Sequence, residues 1–536
     1  MKLIQIFWRF IFKIKFFLFS FTPDRKQKIN LKNYSTLWNE PKWGNINCLI
    51  DDWKFKFLNK ELNLAKHQWM PNSVEKLWKY NLHYFDYLFL YKHDTLGDLH
   101  LNKLIESWIS NNAKGSKVSW DPYPLSLRLV NWSKWHLSNK VSNSLFSASM
   151  HQQASFLSKN IEYHIQGNHL LANAKALIFS GAILGRHGIK YLKKGKNLLF
   201  GEINKQILQD GAHFELSPMY HSIILNDFYD LIQLSNIEKS IFKYKEIELI
   251  KKITRRMLFW IREMSHLDGK LSYFNDSVEG IAKSFEELSN YHDFLGLGLI
   301  DDDYKLFDYS GFGILNNETN NIKCIFDMTN IMSSFQPGHS HADSLSFECS
   351  INKEKIITNL GISTYQDLQK RFEERSTHSH STVEINEKNS TETWHFFRVG
   401  RRARVFEKAF NEKENYMIAS HDGYRHLKGK PNHTRKIQVK DQSLIVTDNI
   451  QSESLVDVIK IFFHLTPNCK VKILDSYSCI ISSEINKLLF ESTFNPITLI
   501  ERNYCNSFGN ITKTNSVCIS LTNFRDLENK VRISIQ

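Results

Sequence analysis

One change of texture, near residue 308, limits what this 536-residue chain can fold into. From about 50 to 300 glycine is sparse, and apolar residues recur at three- and four-residue spacing, as one face of a helix requires. Segments such as Leu77–Tyr91, Leu125–Leu137, Leu170–Leu184, Met219–Leu234 and Ile250–Met264 are each expected to be amphipathic helices. At Tyr309-Ser310-Gly311-Phe312-Gly313 the chain becomes glycine-punctuated. Beyond it come short alternating runs: Thr382–Ile385, Ala403–Phe406, Lys436–Val439, Leu444–Thr447 and Lys470–Leu474. Turn residues such as Asn352-Lys353-Glu354 and Asn386-Glu387-Lys388-Asn389 separate them. Many short strands with turns between them predict an antiparallel sandwich or two-layer sheet assembly. Helices first and strands afterwards mean an all-α domain followed by an all-β domain, with the boundary near 300–312. A chain this long does not pack around one core. No strict repeat length is visible, so no solenoid is read from it.

Hydrophobic residues make up 42% and charged residues 23%, which suits folded domains rather than disorder. The net charge of +13, from 69 basic and 56 acidic residues, favours a polyanionic partner. Nucleic acid, an anionic membrane and an acidic polysaccharide all qualify on charge. No recognisable nucleic-acid module is present, so nucleic acid is not the expected partner. Seven cysteines without a CxxC pair give neither a disulfide framework nor a cysteine-type zinc site. Residues 1–21 are mostly Phe, Ile, Leu and Trp, interrupted by Lys2, Arg9, Lys13 and Lys15. That is too much charge for a clean membrane span, and no small-x-small cleavage site follows. Two readings stand: a basic, aromatic helix lying at a membrane surface, or a buried helix of the first domain. Residues 22–50 are polar, with scattered aromatics (Tyr34, Trp38, Trp43), and read as a linker or lead-in.

Four stretches carry residues suited to chemistry. In Gln336-Pro337-Gly338-His339-Ser340-His341-Ala342-Asp343, two histidines and an acid follow a Pro-Gly turn. Leu345, Phe347, Cys349 and Ile351 then alternate as in a half-buried strand. Such a cluster serves proton transfer or metal binding, or is a solvated loop. In Gly167-Asn168-His169-Leu170, Asn168 is placed as a helix N-cap, or presents its amide to a cleft. In Asp210-Gly211-Ala212-His213-Phe214-Glu215-Leu216-Ser217-Pro218-Met219-Tyr220-His221, Ser217 and Pro218 start a helix. Tyr220 in its first turn is a core ring or an acid/base group. In Arg371 to Ile385, arginines precede a strand carrying His378 and His380. With His339 and His341, four histidines could meet on one sheet, and three N/O ligands suffice for zinc. No HExxH, Walker, dinucleotide or Gly-x-Ser-x-Gly pattern appears.

In these stretches the chain resembles the heparinase II/III-like family of polysaccharide lyases. The motifs come in order: Tyr80-Asn81-Leu82-His83-Tyr84-Phe85-Asp86, Gly167 to Leu171, Asp210 to His221, His339 to Asp343, and Arg375-Ser376-Thr377 leading to His380. His421-Asp422-Gly423-Tyr424 and His464-Leu465-Thr466-Pro467 also fit. The resemblance implies an incomplete (α/α) toroid over 38–305 and an antiparallel β-sandwich over 306–536, after a basic hydrophobic segment and linker at 1–37. It also implies β-elimination at a uronic acid of an acidic polysaccharide, leaving a 4,5-unsaturated sugar. The C5 proton of a uronate is weakly acidic because the adjacent carboxylate is already negative, so that carboxylate must first be neutralised or hydrogen-bonded. By resemblance Asn168, with His169, does this. Tyr220 and His339 share the roles of base at C5 and acid at O4, while His213, Glu215 and Arg375 contact substrate.

No cofactor is required for that chemistry. Family members with a structural zinc or other divalent metal use two histidines and an acid, which by position are His341, residue 359 and His380. Residue 359 here is Asn359, a neutral amide and a weaker ligand than a carboxylate, which counts against a metal. Without a clear cleavable signal peptide, a cytoplasmic or inner-membrane-associated location is expected over a periplasmic one, with a role in making or trimming a surface polysaccharide. The rival reading is a non-catalytic glycan-binding or scaffolding protein of a polysaccharide assembly system. Retention of Asn168, Tyr220 and His339 together counts against it.

Overall fold

The helical half begins with a 19-residue helix, Leu3–Phe21 (α1), in a computed structural model of the chain. The structure describes residues 3–21, 29–39, 41, 48–51, 53–90, 97–141, 143–298, 307–317, 321–331 and 337–536. Further helices are Lys76–Tyr84 (α2), Asp98–Asn111 (α3), Pro122–Leu137 (α4), Ser144–Lys159 (α5), Asn168–Ile183 (α6), Ile189–Gln206 (α7), Pro218–Ile237 (α8), Tyr244–Glu263 (α9) and Phe285–Phe294 (α10). A short helix, Leu368–Glu374 (α11), lies among the strands. Local start signals mark several of these helices. Pro122 opens α4, Pro218 opens α8, and the Asn143 side chain accepts from the Phe146 N–H at 2.8 Å to cap α5.

The chain divides into two compact units. One comprises Met1–Ile207, Ile224–Arg255 and Glu287–Gly298. The other comprises Leu208–Ile223, Arg256–Glu286 and Leu299–Gln536. The expected boundary at 305/306 lies outside the described residues. The segments carrying Tyr220 and Asp276 group with the strands.

In the helical unit the core is rich in aromatic rings. Phe85 and Trp108 each meet Trp132 edge to face, at 5.2 and 5.5 Å, and the Arg128 guanidinium lies 3.8 Å from the Trp108 ring centre. Two of the expected helices differ in detail. Helix α2 stops at Tyr84, because Phe85 takes a left-handed backbone (φ 65°). Helix α6 is not amphipathic: every residue but His169 is buried, so it runs through the interior. Its Lys175 is satisfied there by Asp227, at 2.6 Å, and Asp230 of α8.

In the β unit the strands are antiparallel. Their order is Lys470–Ile473, Ser478–Ser482, Lys487–Ser492, Asn510–Ile535, Ser443–Leu465, Glu354–Thr358, Phe347–Ile351, Ile322–Asp327 and Phe312–Asn317, with further strands pairing off this path. Ser443–Leu465 and Asn510–Ile535 are 23 and 26 residues long, far longer than the alternating runs suggested. A register shift between Gln451 and Val456 lets Ser443–Leu465 change partners. Its first half pairs with Asn432–Lys440, and its second half with Val383–Ile385 and Glu354–Thr358. Such strands turn the corners of a layered assembly. Phe347, Val446, Ile437, Phe463 and Val531 belong to the apolar core between the layers. Phe347–Ile351 is buried on both faces rather than one. Its polar position Glu348 is compensated inside the fold by His266 at 2.7 Å and Lys355 at 3.3 Å.

Candidate active site

The turn from Pro337 to Ser346 delivers the two histidines. Ser340 N–H donates to the Pro337 carbonyl, Ala342 N–H to Arg375 and Ser346 N–H to Asp343, while Leu345 adopts φ 57°. The loop is therefore held at several points before the strand Phe347–Ile351 begins. His339 is mostly covered, with its side chain 11% exposed. Its Nδ1 lies 2.7 Å from Asp276 Oδ2, and its Nε2 lies 3.7 Å from Glu215 Oε2. The Tyr220 ring packs on it with centres 4.1 Å apart, and the Tyr220 hydroxyl is 3.1 Å from that of Tyr365. Glu215, Asn275, Asp327, His339, His341 and Asp343 line one depression of this unit.

Asp276 is the hub. It is fully buried, receives Arg371 through both guanidinium nitrogens at 2.5 and 2.6 Å, and contacts His341 Nε2 at 2.8 Å as well as His339. Burial alone would raise its carboxyl. The Arg371 charge and the two imidazole hydrogen bonds outweigh that and hold it well below the usual carboxylate range. An anionic Asp276 accepts the Nδ1–H of His339. The lone pair of His339 is then at Nε2, on the side of Glu215. Burial, followed by the Asp276 charge, pushes the Tyr365 phenol well up, so it stays protonated and can donate to Tyr220.

A second cluster lies beside the first. His341, Asp343 and His380 offer ligand atoms within 4.8 Å of one another, all buried. His380 Nδ1 is 2.8 Å from the Ser376 carbonyl and so carries a hydrogen. His341 Nε2 carries one toward Asp276. The remaining nitrogens, His341 Nδ1 and His380 Nε2, face each other at 3.0 Å. In the neutral imidazoles both are lone pairs, an arrangement that asks for a proton or a cation. Burial pushes both histidines down to about 4, so a proton is not readily held at neutral pH. Burial also raises the acids Asp343 and Asp327. Two imidazole lone pairs and a carboxylate are a donor set that a divalent cation fits.

The remaining expected residues divide. Asn168 and His169 lie in the helical unit at the start of α6. Asn168 is the first helical residue, and Gly167 occupies the cap position expected of Asn168. His169 Nδ1 is 3.1 Å from Glu162, and its ring packs on Tyr123. Glu215 adjoins His339, whereas His213 is wholly buried with its backbone N–H on His221 Nδ1. Arg375 is fully buried and donates to the carbonyls of Ser340 (2.8 Å) and Phe396 (3.2 Å), bracing the loop that carries His339. His378 lies in a 3-10 turn, Thr377–Ser379, and pairs with Glu384 at 3.3 Å, so the four histidines do not meet on a sheet. Asn359 is also buried. Its Oδ1 accepts from Ser381 N–H, and the acid in the cluster is Asp343.

Asp276 and Tyr365 were not expected from sequence. They lie far along the chain from His339 and Tyr220, and no local spacing marks them.

Comparison with known proteins adds to this geometry. The family profile described as heparinase II/III N-terminus matches residues 100–297, and the one described as heparinase II/III-like, C-terminal, matches residues 300–534. A heparin-sulfate lyase of Bacteroides thetaiotaomicron is 24% identical over 378 residues, 61% of this chain and 52% of that protein. One of Pedobacter heparinus is 32% identical over 137 residues, 25% of this chain and 20% of that protein. The aligned region thus spans about half of the first relative's length and less of the second's. Among solved structures, heparinase III superposes with a TM-score of 0.70 at 18% identity, covering 89% of this chain and 80% of that one. A heparan sulfate lyase from Pedobacter heparinus gives 0.59 at 18% identity, covering 90% and 81%. These likenesses show the fold class, a helical toroid followed by an antiparallel β-sandwich.

Proposed function

Because this chain belongs to the heparinase II/III-like family, we propose that it is a polysaccharide lyase cleaving a uronic-acid-containing, acidic glycan by β-elimination. The observation that carries this reading is His339, held by Asp276 on one side and packed against Tyr220 on the other. Elimination needs one group to take the C5 proton and one to protonate the departing O4. His339 Nε2, freed by the Nδ1–H bond to Asp276, suits either task. The Tyr220 hydroxyl, bonded to Tyr365, suits the other. Glu215 Oε2 lies 3.7 Å from His339 Nε2. Asn168 is proposed to bind the uronate carboxylate. As the first residue of the 16-residue α6 it stands at the positive end of the helix, where charge developing on that carboxylate is stabilised.

His341, Asp343 and His380 are proposed to hold a divalent cation, zinc being one that suits two imidazoles and a carboxylate. Such an ion would supply fixed positive charge and rigidity beneath the loop. The proton transfers proposed here belong to His339 and Tyr220.

For its setting we propose a cytoplasmic or inner-membrane-associated enzyme that makes or trims a surface polysaccharide. Helix α1, basic and apolar, is the feature this setting rests on, and its Trp8, Phe12 and Phe16 meet Tyr163, His164 and Phe156. Cell fractionation showing an exported, N-terminally processed chain would contradict it.

The test of the reaction is ultraviolet absorbance from the new C4=C5 bond, screened over heparan sulfate, hyaluronan, alginate and bacterial capsule polymers. A rise on at least one polymer is expected. Glycan binding without any rise, across the whole screen, overturns the lyase reading in favour of a non-catalytic binder.

A further inference from the structure

Helix α1 is two-sided. Toward the helical unit it presents Trp8, Phe12 and Phe16, whose rings meet Tyr163, His164 and Phe156 at 5.0, 4.2 and 5.2 Å. Its other face is apolar and uncovered. Ile6, Phe7, Phe10, Ile14, Phe17, Leu18 and Phe21 are 41–75% exposed, the densest run of exposed large apolar side chains among the described residues. At ~100° per residue these seven fall within an arc of about 120°. Arg9 and Lys13 border the arc on one side and Lys15 on the other, all three exposed, and α1 contains no acidic residue.

We propose that this face of α1 lies in the surface of an anionic lipid bilayer, so that the chain works as a membrane-surface protein. An isolated exposed Phe needs no explanation, but seven apolar side chains on one face carry a cost in water that burial in the headgroup boundary removes. The cationic borders choose the partner. Their aliphatic stems lie along the apolar zone while their charges reach the anionic headgroups. A second copy of the helix would instead bring Arg9, Lys13 and Lys15 against their own like charges, with no acid in the helix to offset them. Spanning is a different matter. No helix among the described residues is long and apolar enough to cross a membrane, and one side of α1 is already packed on protein.

The experiment is co-sedimentation of the full chain with two kinds of vesicle, phosphatidylcholine alone and an equimolar mixture with phosphatidylglycerol. Three proteins are compared: wild type, Phe10→Glu/Phe17→Glu and Arg9→Glu/Lys13→Glu. All four substituted side chains are exposed, so the folded state and its melting temperature should be unchanged. Wild type is expected to pellet with the anionic vesicles and remain in solution with the neutral ones. Each double variant is expected to bind about tenfold more weakly or worse, and wild-type binding to fall as salt rises.

Three results overturn the proposal. One is wild type remaining in solution with both vesicles. Another is binding that the Phe variant leaves unchanged, which would place the contact elsewhere on the basic surface. The third is a wild-type dimer, seen by light scattering, that the Phe variant dissociates while vesicle binding is absent. That would make the face an interface between copies.

Discussion

Replacing Asp276 by Asn removes one negative charge and changes little in size. In the folded protein that charge is shared by Arg371, at 2.5 and 2.6 Å, by His339 at 2.7 Å and by His341 at 2.8 Å, all inside the β unit. Two effects follow, and they differ in kind. Arg371 is left buried and uncompensated, which costs about 3–5 kcal/mol of stability. His339 loses the acceptor that fixes hydrogen on Nδ1, so the fraction with a lone pair at Nε2 falls. General acid–base catalysis by a positioned group contributes about 10²–10⁴-fold, and most of that is expected to vanish from kcat. The assay is initial-rate absorbance at a temperature where far-ultraviolet dichroism shows Asp276→Asn to be folded, beside His339→Ala and the double variant. If Asp276 works through His339, the double variant is no slower than His339→Ala, because the two act as a unit. A folded Asp276→Asn within about threefold of wild type would refute this, since a lost charged hydrogen bond worth ~1.5–3 kcal/mol should cost more than tenfold. Multiplying losses in the double variant would refute it equally.

Stability should fall early on acidification. His341 and His380 are held down to about 4 by burial, so below pH ~6.5 the unfolded chain binds protons that the folded chain refuses, at a cost of about 3 kcal/mol each by pH 4. Glu348 and Asp448, both about 2 when folded, add stability above their unfolded values near 4 that is lost as pH falls toward 2. Urea unfolding from pH 8 to 3 with chelator present checks this, and a flat profile between 7 and 4 contradicts it. Micromolar zinc or manganese added to chelator-treated protein should raise the melting temperature through His341, Asp343 and His380. The rise should disappear in His380→Ala, whereas equal stabilisation of the variant refutes the site. Asp448→Ala should cost about 3–5 kcal/mol by stranding buried Arg435, which also donates to the Leu345 and Ser381 carbonyls at 2.9 and 2.7 Å. Unchanged denaturant midpoints would deny Arg435 that role.

The α-then-β order was legible because the period of apolar residues changes once, near Gly311. Helices α4, α6, α8 and α9 fall where three- and four-residue spacing placed them. Periodicity could not show that α6 is buried all round, because Lys175 looks like a solvent position until Asp227 and Asp230 arrive from α8. Nor could it show that Phe347–Ile351 is enclosed on both faces, since Glu348 is compensated by His266 from elsewhere in the chain. Family motifs brought Tyr220, Glu215 and His339 into view, and these do meet. Asp276 escaped notice because its role depends on contacts 63 to 95 positions away along the chain. By resemblance the acid position is residue 359, and the acid grouped with His341 and His380 is Asp343, two positions beyond His341. The sharp turn through Leu345, with φ 57°, follows directly after it.

His339 and Tyr220 are proposed to move the protons of an elimination. On whichever acidic polymer gives the C4=C5 absorbance, kcat of folded His339→Ala and Tyr220→Phe tests it directly. Each is predicted to fall by about 10²–10⁴-fold with the melting temperature nearly unchanged. A folded variant of either kind that retains kcat within about threefold of wild type, a difference of under ~1 kcal/mol in barrier, would contradict the account.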